Sequence, residues 1–394
     1  MSIAKKMRLF SEKSSMIRKM FEEGARMKAQ FGEDKVFDFS LGNPDVPPPP
    51  QFTKVLQQIA ADEKPGVHGY MPNPGFLFVR EALAERLSKD QAVPLTGGDL
   101  LMTCGAAGAL NVIFKALLDP GDEVLVPAPY FVEYGMYVDN HNGVLKTVAT
   151  DAEFNLDLAT IESAISDKTK LILLNSPNNP TGQIYSAETL KQLATLLDTA
   201  GKKFRHTIYM VSDEPYRNIV FDGHEVAPLL AASTNAIVAS SYSKELSLPG
   251  ERIGYIAVHP DMENKQEMLG ALTLANRILG FVNAPALMQR VVAQLQDVAV
   301  DSSIYARRLD AFCPILDDAG ISYVRPKGAF YLFPKSPIAD DVQFCAMLKE
   351  EKILAVPGQG FGLPGHFRLA FCVDEKVIRA SAQAFKDAAA AARK

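Results

Sequence analysis

The sequence of 394 residues contains no tryptophan, six histidines and four cysteines. The cysteines lie far apart, without a CxxC pair, and no histidine pair has the His-Glu-x-x-His spacing; the cysteines are Cys104, Cys313, Cys345 and Cys372. These absences argue against a disulfide scaffold and a zinc site, so we expect no metal. Scattered free thiols fit a reducing environment, and we expect a cytoplasmic protein.

Long apolar runs and charge of one sign are also missing. No stretch of about eighteen apolar residues occurs, and Met1–Met7 lack the apolar core of a signal peptide, so we expect no membrane partner. The net charge of −5, without a lysine- or arginine-rich run, gives no support for a nucleic-acid partner. What is present, 47% apolar and 22% charged residues, is typical of a globular protein, and the length suggests two domains.

Short apolar runs alternate with amphipathic stretches through the middle of the chain. This alternation predicts an α/β fold with a largely parallel sheet covered by helices on both faces. The predicted strands are Leu100–Thr103, Glu123–Val126, Leu171–Leu174, Ile208–Val211, Ala236–Ser240 and Ile253–Val258. The predicted helices are Gly108–Leu118, Val132–Asp139, Ala187–Leu197 and Met262–Ala275.

The two ends of the chain predict a smaller α+β domain. Its C-terminal part has predicted helices at Ala284–Ala319, Asp340–Glu350 and Asp374–Ala391, and strands at Ile321–Tyr323, Ala329–Phe333, Ile353–Val356 and His366–Phe371. The N-terminal part, with helix Ser15–Ala29 and strand Val36–Leu41, is expected to pack on it. The stiff run Pro47–Pro50 would then cross into the large domain. We expect a large domain at residues 47–285 and a small domain formed by 1–46 and 286–394.

The most informative segment runs from Ser240 to Gly254. It follows a predicted strand and places Lys244 after a cluster of hydroxyl residues, with Arg252 eight residues further on. A lysine withdrawn from water has a lowered pKa and can form a Schiff base with an aldehyde cofactor. An arginine stays charged and suits a phosphate. A solvated loop lysine is the ordinary alternative.

Further unusual clusters follow other predicted strands, where ligands of parallel sheets collect. These are the small residues of Thr103–Leu110, the aromatic turn Pro127–Phe131, the rigid turn Asn175–Gly182 and the acidic segment Ser212–Tyr216. Arg368 lies within an apolar strand and demands an anionic partner. Each of these also has an ordinary explanation: helix packing, a core aromatic, a turn, a helix cap or a salt bridge.

In their order and placement the clusters resemble the class I/II aminotransferases, the fold-type I family of pyridoxal-phosphate enzymes. The resemblance extends from Leu41-Gly42-Asn43-Pro44 to Arg368. Its most specific motifs are Asn179-Pro180-Thr181-Gly182, Asp213 with Tyr216, and Ser241-x-Ser243-Lys244 with Arg252. It implies a mostly parallel seven-stranded sheet plus a smaller α+β domain. It also implies transfer of an amino group between an L-amino acid and a 2-oxo acid, in amino-acid metabolism.

The resemblance also implies a role for individual residues. Lys244 would hold pyridoxal 5′-phosphate and shuttle the substrate proton, and Asp213 would keep the ring nitrogen protonated. Asn179 and Tyr216 would bind the phenolic oxygen. The ring would stack on Phe131, the phosphate would bind Gly105, Ala106, Ala107, Ser241, Ser243, Arg252 and Tyr70 of a second subunit, and the substrate carboxylate would bind Gly42, Asn179 and Arg368. The active sites would therefore be shared within a homodimer.

The substrate side chain and the reaction type stay open at this point. Ala107 stands where one aspartate-specific subgroup has a lysine, and Arg277 is offset from the arginine of another. Leu246, Leu248, Phe330 and Tyr331 favour an apolar or aromatic substrate at least as well as a dicarboxylic one. The same motifs suit a lyase or decarboxylase. Ser241 and Lys244 also match the SxxK pattern of serine acyltransferases, without the KTG and SDN motifs of that class.

Overall fold

The computed structural model describes residues 3–13 and 15–394, and a sheet of seven strands forms its largest element. Strand β1 (Phe37–Asp38) lies outside this sheet. The sheet consists of β2 (Leu100–Thr103), β3 (Glu123–Ala128), β4 (Val144–Ala149), β5 (Thr169–Asn175), β6 (Tyr209–Asp213), β7 (Ala236–Ser241) and β8 (Gly254–Val258). Their spatial order is β2-β8-β7-β6-β5-β3-β4, and β8 runs in the direction opposite to the other six strands. The predicted α/β class with a mostly parallel sheet is confirmed.

Helices cover both faces of this sheet, and successive residues of a strand enter different cores. Leu100 and Met102 of β2 pack in one hydrophobic cluster, whereas Leu101 packs in the cluster on the other side. The helices are α1 (Lys5–Lys13), α2 (Ser15–Phe31), α3 (Pro50–Ala60), α4 (Leu77–Asp90), α5 (Gly105–Leu117), α6 (Glu133–Asp139), α7 (Leu158–Ala164), α8 (Ala187–Phe204), α9 (Lys265–Ile278), α10 (Ala286–Ala293), α11 (Ser303–Asp318), α12 (Asp341–Glu350), α13 (Glu375–Ala380) and α14 (Ala382–Ala392).

The six strands predicted for the large sheet are all present, with ends that differ by up to two residues. The sequence analysis missed β4. This strand lies at the sheet edge, where only Val148 is fully buried, so it lacks the apolar run that marks the buried strands.

The small sheets involve the ends of the chain. Strand β1 pairs in parallel with β10 (Ile353–Leu354), which confirms that the N-terminal segment packs on the C-terminal part. The other small sheet contains β9 (Tyr331–Leu332), β11 (Val356–Pro357) and β12 (Phe367–Ala370), in the order β11-β12-β9. Their core includes Phe39, Phe312 and Phe385, whose rings contact one another.

Several predictions for the C-terminal part are wrong. Residues 321–323 form no strand, because Ser322 makes a single backbone pairing, with Lys335, instead of a ladder. The predicted helix at 284–319 is divided into α10 and α11. Its middle leaves the helical path because the backbone N–H of Val300 donates to Glu245 O at 2.7 Å. The predicted helix at 374–391 is likewise divided at Ser381.

Two further observations concern what the sequence lacks. In residues 3–13 and 15–394, no helix is both long and apolar enough to cross a membrane. The four cysteines are unpaired thiols, and three of them are buried.

Candidate active site

A cavity of about 350 Å³ lies at the carboxyl ends of β5, β6 and β7. Its wall also includes the N-terminus of α5 and parts of the C-terminal sheet. It contains every site residue predicted from the sequence except Gly105 and Tyr70. The lining residues of that set are Gly42, Ala106, Ala107, Phe131, Asn179, Asp213, Tyr216, Ser241, Ser243, Lys244, Arg252 and Arg368.

Lys244 follows β7 and directs its amine into the cavity. Its Nζ donates a hydrogen bond to Gly42 O at 2.8 Å and lies 5.8 Å and 5.4 Å from the ring centres of Tyr216 and Phe330. Withdrawal from water lowers the pKa of Lys244 to about 8, and the positive charges of Arg368 and Arg252 act in the same direction. At neutral pH a larger fraction of this amine is therefore unprotonated and nucleophilic than for an ordinary lysine.

Asp213 is the last residue of β6 and is almost fully buried. Its Oδ2 accepts a hydrogen bond from Tyr134 Oη at 2.6 Å, whereas Oδ1 has no hydrogen-bond partner among the described residues. Burial raises the pKa of Asp213 to about 7; the Tyr134 hydrogen bond opposes this rise and Glu214 adds to it. A buried carboxylate oxygen without a partner is costly, so this site is built to receive a donor or a cation.

The turn after β5 is fixed by asparagines. Asn175 donates from Nδ2 to Asp213 O at 2.8 Å and accepts the backbone N–H of Asn179 at 2.6 Å. Gly182, at the end of this turn, accepts the backbone N–H groups of Lys327 and Gly328. The turn therefore positions Asn179 and also connects the large sheet to the C-terminal part of the chain.

The N-terminus of α5 and Arg252 meet in one corner of the cavity. The first N–H groups of a helix have no partner within it, and here they belong to Gly105, Ala106 and Ala107. Gly105 has φ +72°, and a Cβ there would lie 2.8 Å from an Arg252 Nη atom, so this position requires glycine. The buried residues Ser241 and Ser243 line the same cavity.

Arg368 is a buried cation, and no carboxylate of the described residues pairs with it. It donates to Asn179 Oδ1 at 3.1 Å and to Ser40 O at 2.7 Å, and its Nε has no partner among those residues. Its guanidinium lies 4.8 Å from the Tyr331 ring and 4.7 Å from the Phe361 ring. A structural salt bridge, the ordinary alternative for this arginine, is absent from the described part of the chain.

Gly42 is the second position that requires glycine. A Cβ at Gly42 would overlap the hydroxyl of Tyr331. That hydroxyl forms a hydrogen bond of 2.8 Å with the hydroxyl of Tyr216, so Gly42, Tyr331 and Tyr216 form one continuous contact beside Lys244.

Comparison with known proteins identifies the family of this chain. The family model described as "Aminotransferase class I and II" matches residues 34–385. The chain belongs to this family. Among curated relatives of the aminotransferase, the aspartate/prephenate aminotransferase of Thermus thermophilus is 33% identical over 88% of this chain and 89% of the relative. The aspartate aminotransferase of Geobacillus stearothermophilus is 30% identical over 89% of this chain and 90% of the relative.

Solved structures agree with this membership. An amino transferase from Eubacterium rectale has a TM-score of 0.97 and 38% identity and covers 100% of both chains. The aspartate aminotransferase of Thermus thermophilus with maleate has a TM-score of 0.85 and 28% identity, over 95% of this chain and 96% of that chain. The fold is therefore fold type I, and the chain is an aminotransferase rather than a lyase, a decarboxylase or an SxxK acyltransferase.

Tyr70 of the aminotransferase lies outside the cavity, with 92% of its surface exposed. The sequence analysis assigned it to a neighbouring subunit's site, and its position on the surface is compatible with that prediction. Gly105 begins α5 and precedes Ala106 and Ala107, which line the cavity.

Sequence reasoning missed four polar residues of the cavity: Asn43, Tyr134, Tyr137 and Asn175. Asn175 begins the predicted turn Asn175–Gly182, for which only Asn179 was given a role. Tyr134 lies on α6, three residues after Phe131, which precedes that helix. That spacing was the available signal, and the rings do meet edge to edge at 5.5 Å.

Proposed function

We propose that the aminotransferase binds pyridoxal 5′-phosphate in this cavity and transfers an amino group between an L-amino acid and a 2-oxo acid. One observation carries the proposal: the Lys244 amine, with its pKa lowered to about 8, shares a cavity with the unpartnered Oδ1 of Asp213. A nucleophilic amine and a buried carboxylate are what an aldehyde-bearing pyridine ring requires.

The residues present fit this cofactor. Lys244 would hold its aldehyde group, Asp213 Oδ1 its ring nitrogen, and Phe131 one ring face. Asn179 and Tyr216 would bind the phenolic oxygen. The α5 N-terminus with Ser241, Ser243 and Arg252 would bind the phosphate. When bound, the cofactor supplies an electron sink that acidifies the substrate Cα–H bond.

The chain's own groups then perform the remaining tasks. Arg368 binds the substrate α-carboxylate and so fixes the orientation of the Cα–H bond. Lys244 Nζ accepts the Cα proton and returns it, a role that suits an amine titrating near the working pH. The aromatic rings of Tyr331 and Phe361 on the Arg368 guanidinium exclude water and hold the arginine in place.

We further propose that the cavity accepts a substrate with an apolar or aromatic side chain at least as readily as one with an acidic side chain. Within the described chain, the cations that line the cavity are Lys244, Arg252 and Arg368, and each has a task in the preceding account. Ala107 adds no charge. The relatives named as aspartate aminotransferases make aspartate a necessary member of any substrate screen.

A homodimer with shared active sites completes the proposal. Tyr70 is exposed, and so are about half of the side chains of Leu77 and Phe78 on α4 and of Leu274 and Ile278 on α9. Exposed large apolar groups on α4 and α9 support a protein interface. We also propose the division into domains at residues 47–285 and a cytoplasmic location, which the unpaired thiols support.

The test is a half-reaction. Purified protein with pyridoxal 5′-phosphate is mixed with each of twenty amino acids, and the oxo acid formed is counted per active site. We expect one equivalent from preferred amino acids and none from Lys244→Ala. Arg368→Ala should lower kcat/KM by about a hundredfold, the effect of a charge-assisted contact of about 3 kcal/mol. Full turnover by Lys244→Ala would refute the proposal.

A further inference from the structure

Tyr134 connects two parts of the cavity that the proposed function uses. It follows Phe131 by three residues, and its ring contacts the Phe131 ring at 5.5 Å and 84°. Its hydroxyl donates to Asp213 Oδ2 at 2.6 Å, across 79 positions of sequence. Both Tyr134 and Asp213 are buried, with 1% and 7% of their surfaces exposed, so water does not compete for this hydrogen bond.

The hydrogen bond distinguishes the two oxygens of Asp213. Oδ2 is occupied by Tyr134, whereas Oδ1 is buried without a partner among the described residues. A carboxylate with both oxygens free could rotate or take up a proton on either one. With Oδ2 fixed, Oδ1 is the oxygen left for a ligand.

We propose that Tyr134 is a positioning residue of the aminotransferase: it fixes Asp213 Oδ2 and thereby presents Oδ1, as an anion, to the ring nitrogen of the cofactor. This inference rests on the proposed function, because it requires pyridoxal 5′-phosphate in the cavity. A donor on Oδ2 withdraws electron density from the carboxylate and favours the proton on the ring nitrogen over the acid.

Other charged and titratable groups also face Asp213 or its cavity. Glu214 is adjacent, but Arg217 Nη1 donates to its Oε2 at 2.8 Å, and Gln91 Nε2 donates to the same oxygen at 3.0 Å. The remaining groups of the cavity are Tyr137, Tyr216, Lys244, Arg252, Tyr331 and Arg368. Among the described residues, Tyr134 is the one side chain that donates a hydrogen bond to the Asp213 carboxylate.

The experiment uses the holoenzyme with pyridoxal 5′-phosphate labelled with ¹⁵N in the ring. The nitrogen chemical shift reports where the proton lies between the ring and Asp213. We expect a protonated nitrogen in the wild type and a shift toward the unprotonated form in Tyr134→Phe. Cofactor affinity, measured by equilibrium dialysis, should fall by about tenfold, as expected for a lost hydrogen bond to a charged group.

Tyr137→Phe is the matched control, because Tyr137 lies on the same helix and lines the same cavity but makes no hydrogen bond to Asp213 within the described structure. Its nitrogen signal should equal that of the wild type. In an Asp213→Asn background, Tyr134→Phe should cause no further change, since its effect passes through the carboxylate.

An unchanged nitrogen signal in Tyr134→Phe, or an equal change in Tyr137→Phe, would overturn the inference. If Tyr134→Phe does not fold, 4-aminophenylalanine at position 134 retains a weaker donor, and it must shift the signal in the same direction by a smaller amount. A wild-type protein that binds no labelled cofactor would instead overturn the proposed function itself.

Discussion

The single residue Asp213 illustrates a buried acid whose burial lowers the stability of the folded protein. The carboxyl group is placed by β6 where water cannot solvate it, and burial raises its pKa to about 7. A carboxyl group with a raised pKa lowers the free energy of unfolding of the cofactor-free protein, because the group ionises more readily in the unfolded chain. In the proposed function the cofactor, rather than the protein, supplies the missing partner.

This argument predicts that Asp213→Asn stabilises the cofactor-free protein in a pH-dependent way. The unfolded chain loses the Asp213 proton near pH 4, whereas the folded chain keeps it to about pH 7, so wild-type stability falls between these values. The variant lacks this titration. We expect the two proteins to be equally stable at about pH 4, and the variant to be more stable than the wild type by up to about 4 kcal/mol above about pH 7. Urea unfolding at both pH values measures it, and a pH-independent difference would contradict the prediction.

The placement of Lys244, Asp213 and Arg368 in one cavity could be predicted, because Lys244 and Asp213 stand in recognisable motifs at strand ends and Arg368 interrupts an apolar strand. Tyr134 could not be predicted in its role. Its contact with Asp213 spans 79 residues and depends on the tertiary packing that brings α6 to the end of β6. That Asp213 Oδ1 has no hydrogen-bond partner could not be predicted either, because a sequence does not show which carboxylate oxygen accepts a hydrogen bond.

Among the elements of the fold, helix α4 stabilises the segment that carries Lys244. Arg86 pairs with Glu245, the residue after Lys244, at 2.9 Å and lies 5.5 Å from the Tyr242 ring. Asn218 also donates to Glu245, and Glu245 O accepts the N–H of Val300. These contacts connect the lysine segment to three other parts of the chain.

We therefore predict that Arg86→Met destabilises the protein by about 3–5 kcal/mol, because it leaves the Glu245 charge buried without its cation. The matched control is Lys89→Met on the same helix, whose pair with Glu85 at 3.7 Å is exposed and should contribute little. Combining Arg86→Met with Glu245→Gln should recover part of the loss. Denaturant unfolding measures all three, and equal effects of Arg86→Met and Lys89→Met would argue against this role.

The same contacts explain where element prediction succeeded and failed. The buried strands have continuous apolar runs and were predicted within two residues. Edge strand β4 has no such run and was missed. The helix predicted at 284–319 is interrupted because Val300 is drawn to Glu245, a tertiary contact that overrides local helical preference.

For the protein as an assembly, the Tyr70 side chain is the important feature, because the structure of a single chain does not explain its high exposure. A tyrosine 92% exposed, together with half-exposed large apolar side chains on α4 and α9, fits a surface covered by a second copy. If Tyr70 serves the neighbouring site, then each active site draws on two chains.

Hybrid dimers test this sharing. Lys244→Ala and Tyr70→Ala chains are each expected to have little activity alone. When they are co-expressed, each heterodimer contains one site with both substitutions and one intact site, so about a quarter of wild-type activity should return. If Tyr70 acted within its own chain, no intact site would form and co-expression would restore nothing. Light scattering provides the control that the species measured is a dimer.

The account depends above all on Lys244 as the covalent attachment point for pyridoxal 5′-phosphate. The most direct measurement is to incubate the purified protein with this cofactor, reduce it with borohydride, digest it and locate the modified lysine by mass spectrometry. The account predicts one equivalent of adduct on the peptide that contains Lys244. An adduct spread over surface lysines, with Lys244 unmodified, would contradict it.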